Sequence, residues 1–214
     1  MVEKENILGT FTAQRMSEDM RTPESEEIEL VRLARSGNRK AFDRLVEKYH
    51  GQVYQLAFRF FNNKEDAQDA TQEVFLKVYR ALGNFEGRSS FKTWIFRITS
   101  NTCSTICQEK TKNKKTLLQA LIDWFSKPPV QDPSRVVTEK EYQMELQSAI
   151  TEKISKLPEA YRMPLILRDI EGYSHERICE ILDLKEGTVK SRINRGRRIL
   201  QESLESFFQR KESL

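Results

Sequence analysis

Apolar residues recur along most of this chain at steps of three and four, and no long stretch alternates apolar with polar. That period predicts amphipathic helices rather than strands. A first helix is expected over 26–36, with Ile28, Leu30, Val31 and Leu33 as apolar positions and Gly37-Asn38 as its stop. A second, over 41–61, places Phe42, Leu45, Val46, Tyr49, Val53, Leu56, Ala57 and Phe60 on one stripe. Asn62-Asn63 interrupt it, and a third helix over 66–82 ends near Gly83-Asn84. The loop Phe85-Glu86-Gly87-Arg88-Ser89-Ser90 leads to a fourth helix over 91–107. Four helices with short connections make a compact bundle.

The period fails over 108–137. Lys110-Thr111-Lys112-Asn113-Lys114-Lys115 is basic and polar, and Lys127-Pro128-Pro129 and Asp132-Pro133-Ser134 punctuate the rest. This stretch reads as an interdomain linker, with 117–125 as a short amphipathic patch inside it. Helical spacing resumes over 137–156. Pro158 biases Leu157 out of the helical region, and further helices follow over 160–171, 174–182 and 188–210. The expected fold class is all-α: two small helical bundles, 26–107 and 138–210, joined by a flexible linker over 108–137 and preceded by a flexible extension over 1–25.

Composition agrees with soluble bundles: 32% of residues are charged, 38% hydrophobic, and glycine numbers 8 in 214. The formal charge of +4 says little about partners, but its distribution says more. Residues 88–115 carry seven bases against one acid and residues 185–201 six against one, whereas 1–29 carry eight acids against three bases. Two basic blocks suit two separate contacts with phosphates, although solvated helix faces look the same in composition. Cys103, Cys107 and Cys179 are too few for a zinc site, and no disulfide framework, metal or cofactor is expected. The sequence leaves open whether Cys103 and Cys107 have a redox role. There is no apolar run of about 18 residues and no signal-peptide order at the start, so a cytoplasmic protein is expected.

The segment from Tyr173 to Arg192 reads as a helix-turn-helix. Ser174 caps its first helix, Ile178, Ile181 and Leu182 face inward, Leu184 plugs the turn, and Gly187-Thr188 open the second helix. On that helix Val189, Ile193, Gly196 and Leu200 share one face. The opposite face offers Ser191, Asn194, Arg195 and Arg198, flanked by Thr188 and Lys190. Arginine can bind a guanine edge bidentately and asparagine an adenine edge. Lys190, Arg192, Arg197 and Arg198 are suited to phosphates.

Two features upstream narrow the reading. Opposite its apolar face, the third helix shows Asp66, Asp69, Gln72, Glu73, Leu76 and Arg80, a stripe suited to a basic protein surface. The fourth helix carries Lys92, Trp94, Arg97 and Asn101 beside Arg88 of the loop, while Phe91 reads as core. Aromatic, basic and amide groups together supply the stacking, charge and edge contacts that single-stranded DNA needs.

The string from Asp66 to Arg80, the string from Phe85 to Asn101, Leu157-Pro158-Glu159-Ala160-Tyr161-Arg162 and Glu171-Gly172-Tyr173-Ser174 together resemble extracytoplasmic-function sigma factors of the sigma-70 family. The resemblance spans roughly 26–107 and 138–205. It implies a region 2-like bundle and a region 4-like bundle, and a protein that directs RNA polymerase to promoters without being an enzyme. The third helix would dock on the clamp helices of the largest polymerase subunit. Phe85, Glu86, Gly87, Arg88, Ser89 and Ser90, with Lys92, Trp94, Arg97 and Asn101, would hold single-stranded minus-10 DNA. Thr188, Lys190, Ser191, Arg192, Asn194, Arg195 and Arg198 would read the duplex minus-35 element. The linker would pass through polymerase toward the RNA exit path, with the flap a further contact. An anti-sigma factor, often membrane-bound, is the implied regulator; no small-molecule substrate is implied.

Two rivals remain at this stage. A regulator binding duplex DNA without polymerase explains 174–201 but neither 66–82 nor 85–90. An enzyme with a DNA-binding appendage lacks a motif: the chain has only His50 and His175, no phosphate loop, and no nucleophile–base set.

Overall fold

A computed structural model describes residues 23–113 and 139–211. Within them the chain forms α1 (Pro23–Arg35), α2 (Arg39–Phe61), α3 (Lys64–Ala81), a 3-10 turn (Leu82–Asn84) and α4 (Phe91–Asn113). After the gap come α5 (Glu139–Lys156), α6 (Glu159–Leu165), a π-helical turn (Ile166–Ile170), α7 (His175–Leu182) and α8 (Glu186–Lys211). No strand occurs among the described residues, and no helix there is long and apolar enough to cross a membrane. The amphipathic patch expected over 117–125 and most of the expected extension and linker lie outside the described residues.

Local chemistry sets the boundaries. Gly37, at φ 91, ends α1: its N–H reaches the Ala34 carbonyl at 3.1 Å and Asn38 N–H the Leu33 carbonyl at 3.0 Å. This paired closure needs a left-handed residue, which glycine adopts without a Cβ penalty. Asn38 Oδ1 then accepts from Ala41 N–H at 3.1 Å, starting α2. Asn63 does the same for α3 through Asp66 N–H at 3.0 Å, after Asn62 has turned left-handed at φ 50. Ser90 Oγ accepts from Thr93 N–H at 3.1 Å at the head of α4.

Contacts divide the chain into two compact units. Among described residues, the first comprises 23–49 and 79–86. Its apolar interior is Val31, Ala34, Ala41, Leu45, Tyr49, Leu82 and Phe85. Phe42 meets Tyr79 edge-on with ring centroids 5.0 Å apart. Tyr49 donates its hydroxyl to Glu27 at 2.6 Å, and Lys48 pairs with the same carboxylate.

The second unit comprises 50–78, 87–113 and 139–211 among described residues. Val53, Leu56, Ala57 and Phe60 pack with Ala67, Ala70, Val74 and Val78, all essentially solvent-free. Phe91, Ile95 and Phe96 of α4 are buried too. Further along, α8 lies against α5, α6 and α7 through Val189, Ile193 and Leu204. Arg162 of α6, only 8% exposed, stacks on the Phe60 ring with 4.6 Å to its centroid. It donates to the carbonyls of Phe60 at 3.2 Å and Leu157 at 2.7 Å. Cys103 is fully buried, and burial pushes its thiol up to about 12, which keeps it protonated.

Pro164, inside α6, removes a backbone donor, and the helix widens after it. Glu171 N–H reaches back to the Ile166 carbonyl at 3.0 Å, one residue further than an α-helix allows. Gly196 of α8 is where that helix comes close to α6: a Cβ there would meet Tyr161 Cβ at 3.4 Å and Leu165 Cδ1 at 3.7 Å. Gly196→Leu is therefore expected to cost ~2 kcal/mol by overpacking, whereas Gly196→Ala is accepted. Urea unfolding of both variants checks this, and equal midpoints would refute the close approach.

Candidate nucleic-acid interface

The helix-turn-helix is built as its sequence suggests, with one shift. Ser174 caps α7 by accepting from Arg177 N–H at 3.3 Å. Asp183, left-handed at φ 55, closes it, and Leu184 N–H bonds the Cys179 carbonyl at 3.2 Å. The tight turn lets α8 begin at Glu186, so Thr188 lies inside the first turn rather than at the cap. Thr188 N–H already reaches the Lys185 carbonyl at 2.9 Å. Ile178 and Ile181 are buried as expected, while Leu182, Leu184 and Cys179 are half-exposed.

On α8, Val189, Ile193 and Gly196 are buried and Leu200 is half-buried. Ser191, Asn194 and Arg195 stand exposed on the other side, with Arg192 and Thr188 partly covered. Thr188, Ser191, Arg192 and Arg195 line one open groove with Ala160, Tyr161 and Gly187. Ala160 and Tyr161 were not singled out from the sequence as site residues; nothing in their own chemistry marks them, only their position beside α8. Lys190 pairs with Glu186 at 2.6 Å, which holds its ammonium above its ordinary pKa, first through the hydrogen bond. Arg198 faces Glu202 at 3.7 Å. Both pairs are exposed and exchangeable for phosphate. Arg197 has a two-bonded partner: its guanidinium grips Asp169 at 2.9 and 2.5 Å, which ties α8 to the π-helical turn.

The fourth helix shows its candidate groups in contact with protein. Trp94 is half-buried with its ring 5.7 Å from that of Phe91, and Phe91 is core. Asn101 is exposed. Gly87, at φ 73, makes the turn that sets Arg88 exposed and Ser89 half-buried. Ser90 Oγ also accepts from Arg177 of α7 at 2.7 Å. Lys92 places its ammonium 5.6 Å from the ring centroids of both Phe96 and Tyr173. Arg97 donates through Nε at 3.2 Å, and through Nη2, to the backbone carbonyl of Glu180. Within the first unit, Phe85 is 8% exposed, so its ring is packed, and Glu86 is exposed.

Helix α3 presents Asp69, Gln72 and Leu76 to solvent, with Leu76 43% exposed. Glu73 is partly covered and lies 3.5 Å from Lys77, and Asp66 pairs with Lys110 of α4. Arg80, in the first unit, is exposed. Tyr79 there is 64% exposed, an aromatic the sequence pattern did not single out. Among the described residues no group of His, Cys, Asp and Glu could hold a metal ion.

Comparison with known proteins adds to this geometry. A family described as Sigma-70 region 2 matches residues 45–112, and one described as Sigma-70, region 4 matches residues 147–200. The chain is 34% identical over 188 residues to the RNA polymerase sigma-H factor of Pseudomonas aeruginosa, covering 85% of this chain and 95% of that protein. It is 32% identical over 187 residues to the ECF RNA polymerase sigma-E factor of Escherichia coli K12, with the same coverage of 85% and 95%. Against the ECF RNA polymerase sigma factor SigW of Bacillus subtilis it is 32% identical over 183 residues, 81% of this chain and 94% of that one. A solved structure of CnrH in complex with the cytosolic domain of CnrY superposes with a TM-score of 0.58 at 24% identity, over 85% of this chain and 98% of that one. The sigma factor RpoE of Bartonella quintana, solved in complex with the anti-sigma factor NepR, gives 0.54 at 22% identity over 78% and 98%. These two likenesses carry the all-α fold.

Proposed function

The chain belongs to the extracytoplasmic-function sigma factors of RNA polymerase, and from that premise we propose which of its faces meet polymerase and which meet promoter DNA. As a sigma factor it works with core RNA polymerase on promoter DNA in transcription initiation. The family is not one of catalytic enzymes, and in our reading this member is no exception: polymerase supplies the chemistry, and the sigma factor supplies differential binding.

The observation that carries the reading is the two-sidedness of α8. Val189, Ile193 and Gly196 are buried, while Ser191, Asn194 and Arg195 stand exposed beside an open groove. A helix so placed can lie in a major groove and offer its first turns to base edges. We assign duplex minus-35 reading to Lys190, Ser191, Asn194 and Arg195, with Thr188, Arg192 and Arg198 alongside. Residues 85–90, with Lys92, Trp94, Arg97 and Asn101, are assigned to the single-stranded minus-10 element. Holding extruded bases better than paired ones offsets the cost of unpairing. Asp66, Asp69, Gln72, Glu73, Leu76 and Arg80 are assigned to the clamp helices of the largest polymerase subunit. Each DNA contact is small, and joining both on polymerase raises the effective concentration of the second. We further propose that the protein works in the cytoplasm under an anti-sigma factor, which can hold it at the inner face of the membrane.

The test is runoff transcription across a genome with core polymerase and the purified protein. New start sites that share upstream elements are the expected result, and no transcripts together with no complex with core would sink the assignment. Asn101→Ala is expected to cut transcripts from those promoters about tenfold, a loss within the range of one base contact, with holoenzyme formation unchanged. Equal yields from variant and wild type would remove Asn101 from the minus-10 site.

A further inference from the structure

We propose that Cys107 is a site of oxidation by small hydroperoxides, and that the buried guanidinium of Arg162 receives the oxygen it gains.

Arg162 is a buried cation with no matching anion. It is 8% exposed and makes no ion pair among the described residues. Nη1 donates to the Phe60 carbonyl and Nη2 to the Leu157 carbonyl, both neutral acceptors. Nε has no hydrogen-bond partner, and it is the one buried side-chain nitrogen or oxygen among the described residues left so. Glu159 is close enough for its charge to act on Arg162, but its carboxylate is taken by Gln108 Nε2 at 3.1 and 3.3 Å. Buried charges are normally paired, because taking one out of water without a partner is costly.

One further contact of the guanidinium leads to sulfur. Nη1 also donates toward Cys107 Sγ, 3.8 Å away. A thiol is a weak acceptor, so this contact satisfies little of the cation. Cys107 is half-buried, which leaves its sulfur within reach of a molecule as small as hydrogen peroxide. Sγ attacks one peroxide oxygen. The S–O bond forms as the O–O bond breaks, two electrons pass from sulfur to the peroxide, and the thiol proton leaves with the released hydroxide as water. The new oxygen is a strong acceptor, and once the sulfenic acid ionises it supplies Arg162 with an anion.

The other two cysteines lack this setting. Cys103, one turn earlier on α4, is fully buried with its thiol held protonated. Such a thiol is inert, so it does not resolve the sulfenic acid, which stays open to reduction by small thiols. Cys179 is half-buried like Cys107, but desolvation first, and then the carboxylates of Glu186 and Glu176, push its thiol up.

The experiment treats the full-length wild type with stoichiometric hydrogen peroxide in the presence of dimedone, which traps sulfenic acids. Mass spectrometry then counts the adduct, and any further oxygen, at each cysteine. Cys107 is expected to be modified about tenfold more than Cys179, and Cys103 not at all. Equal modification of Cys107 and Cys179 would overturn the proposal, because exposure alone would then govern reactivity. An unmodified Cys107 overturns it too.

A matched pair of variants tests the receptor. Cys107→Asp places a permanent carboxylate beside Arg162, and Cys107→Asn places a neutral group of the same size. The urea midpoint of the Asp variant is expected to lie about 0.5 M above that of the Asn variant. An equal or lower midpoint, or an Asp variant that fails to fold where the Asn variant folds, refutes Arg162 as the receptor. The labelling of the wild type decides the matter where neither variant folds. Neither readout involves DNA or polymerase, so the promoter assignments stand or fall separately.

Discussion

Holoenzyme carrying Arg195→Ala is expected to initiate at its promoters about ten- to a hundredfold less often, the effect of losing one bidentate base contact. Arg195 is the strongest candidate for that role because it is exposed on the groove-lining side of α8 and makes no ion pair among the described residues. Arg197 is held by Asp169, and Lys190 and Arg198 have carboxylates within reach. A base contact and a phosphate contact differ in what their loss does. Arg195→Ala relaxes the sequence preference at one promoter position, whereas Lys190→Ala weakens all promoters alike and flattens the salt dependence. Transcription from a library of promoters randomised upstream measures both. An Arg195→Ala holoenzyme with unaltered preference would mean that Arg195 only positions the helix.

The second large effect lies in the interior. Arg162→Ala is expected to destabilise the protein by ~3 kcal/mol, since two buried carbonyls lose a charged donor. Those carbonyls belong to Phe60 and Leu157, so one guanidinium links α2 to the entry of α6. Burial draws its pKa below the ordinary arginine value, and the neighbouring Cys107, 3.8 Å from Nη1, works in the opposite direction. Arg162→Lys is expected to rescue little, because an ammonium cannot span two carbonyls as a planar fork does or stack on Phe60. Urea unfolding with an unchanged m-value checks the size. A loss under about 1 kcal/mol would mean that water takes the place of the guanidinium at both carbonyls.

Most helices could be read from the chain because their apolar faces are buried. Ala67, Ala70, Val74 and Val78 keep a strict period, and all four are solvent-free. The caps were legible for a similar reason: Gly37, Asn62-Asn63 and Ser174 each have a local partner that the sequence places within a turn. Helix α4 runs past the expected end at Cys107 to Asn113 because its last turns are exposed and so have no apolar period to follow. Thr111 bonds back to the Cys107 carbonyl at 2.8 Å there, a polar continuation that composition alone does not reveal. The widened turn after Pro164 and the start of α8 at Glu186 depend on backbone hydrogen bonds rather than on side-chain type.

The candidate site was legible as a set of residue types, not as a set of occupied positions. Arg97, Lys92 and Ser90 have the chemistry of a DNA surface, and so they read from the sequence. Their partners, Glu180, Tyr173 and Arg177, lie more than eighty positions downstream, with no local spacing to announce them. Arg197 reads like its basic neighbours on α8 until Asp169 is placed beside it.

The grip on Arg97 has a further property. Its acceptor is the main-chain oxygen of Glu180, which every amino acid would supply equally. Codon changes at position 180 can alter the charge of the surface without removing that oxygen. A lineage could thus change the side chain at position 180 while keeping this acceptor, and could remove it only by rerouting the backbone or by giving up Arg97 itself.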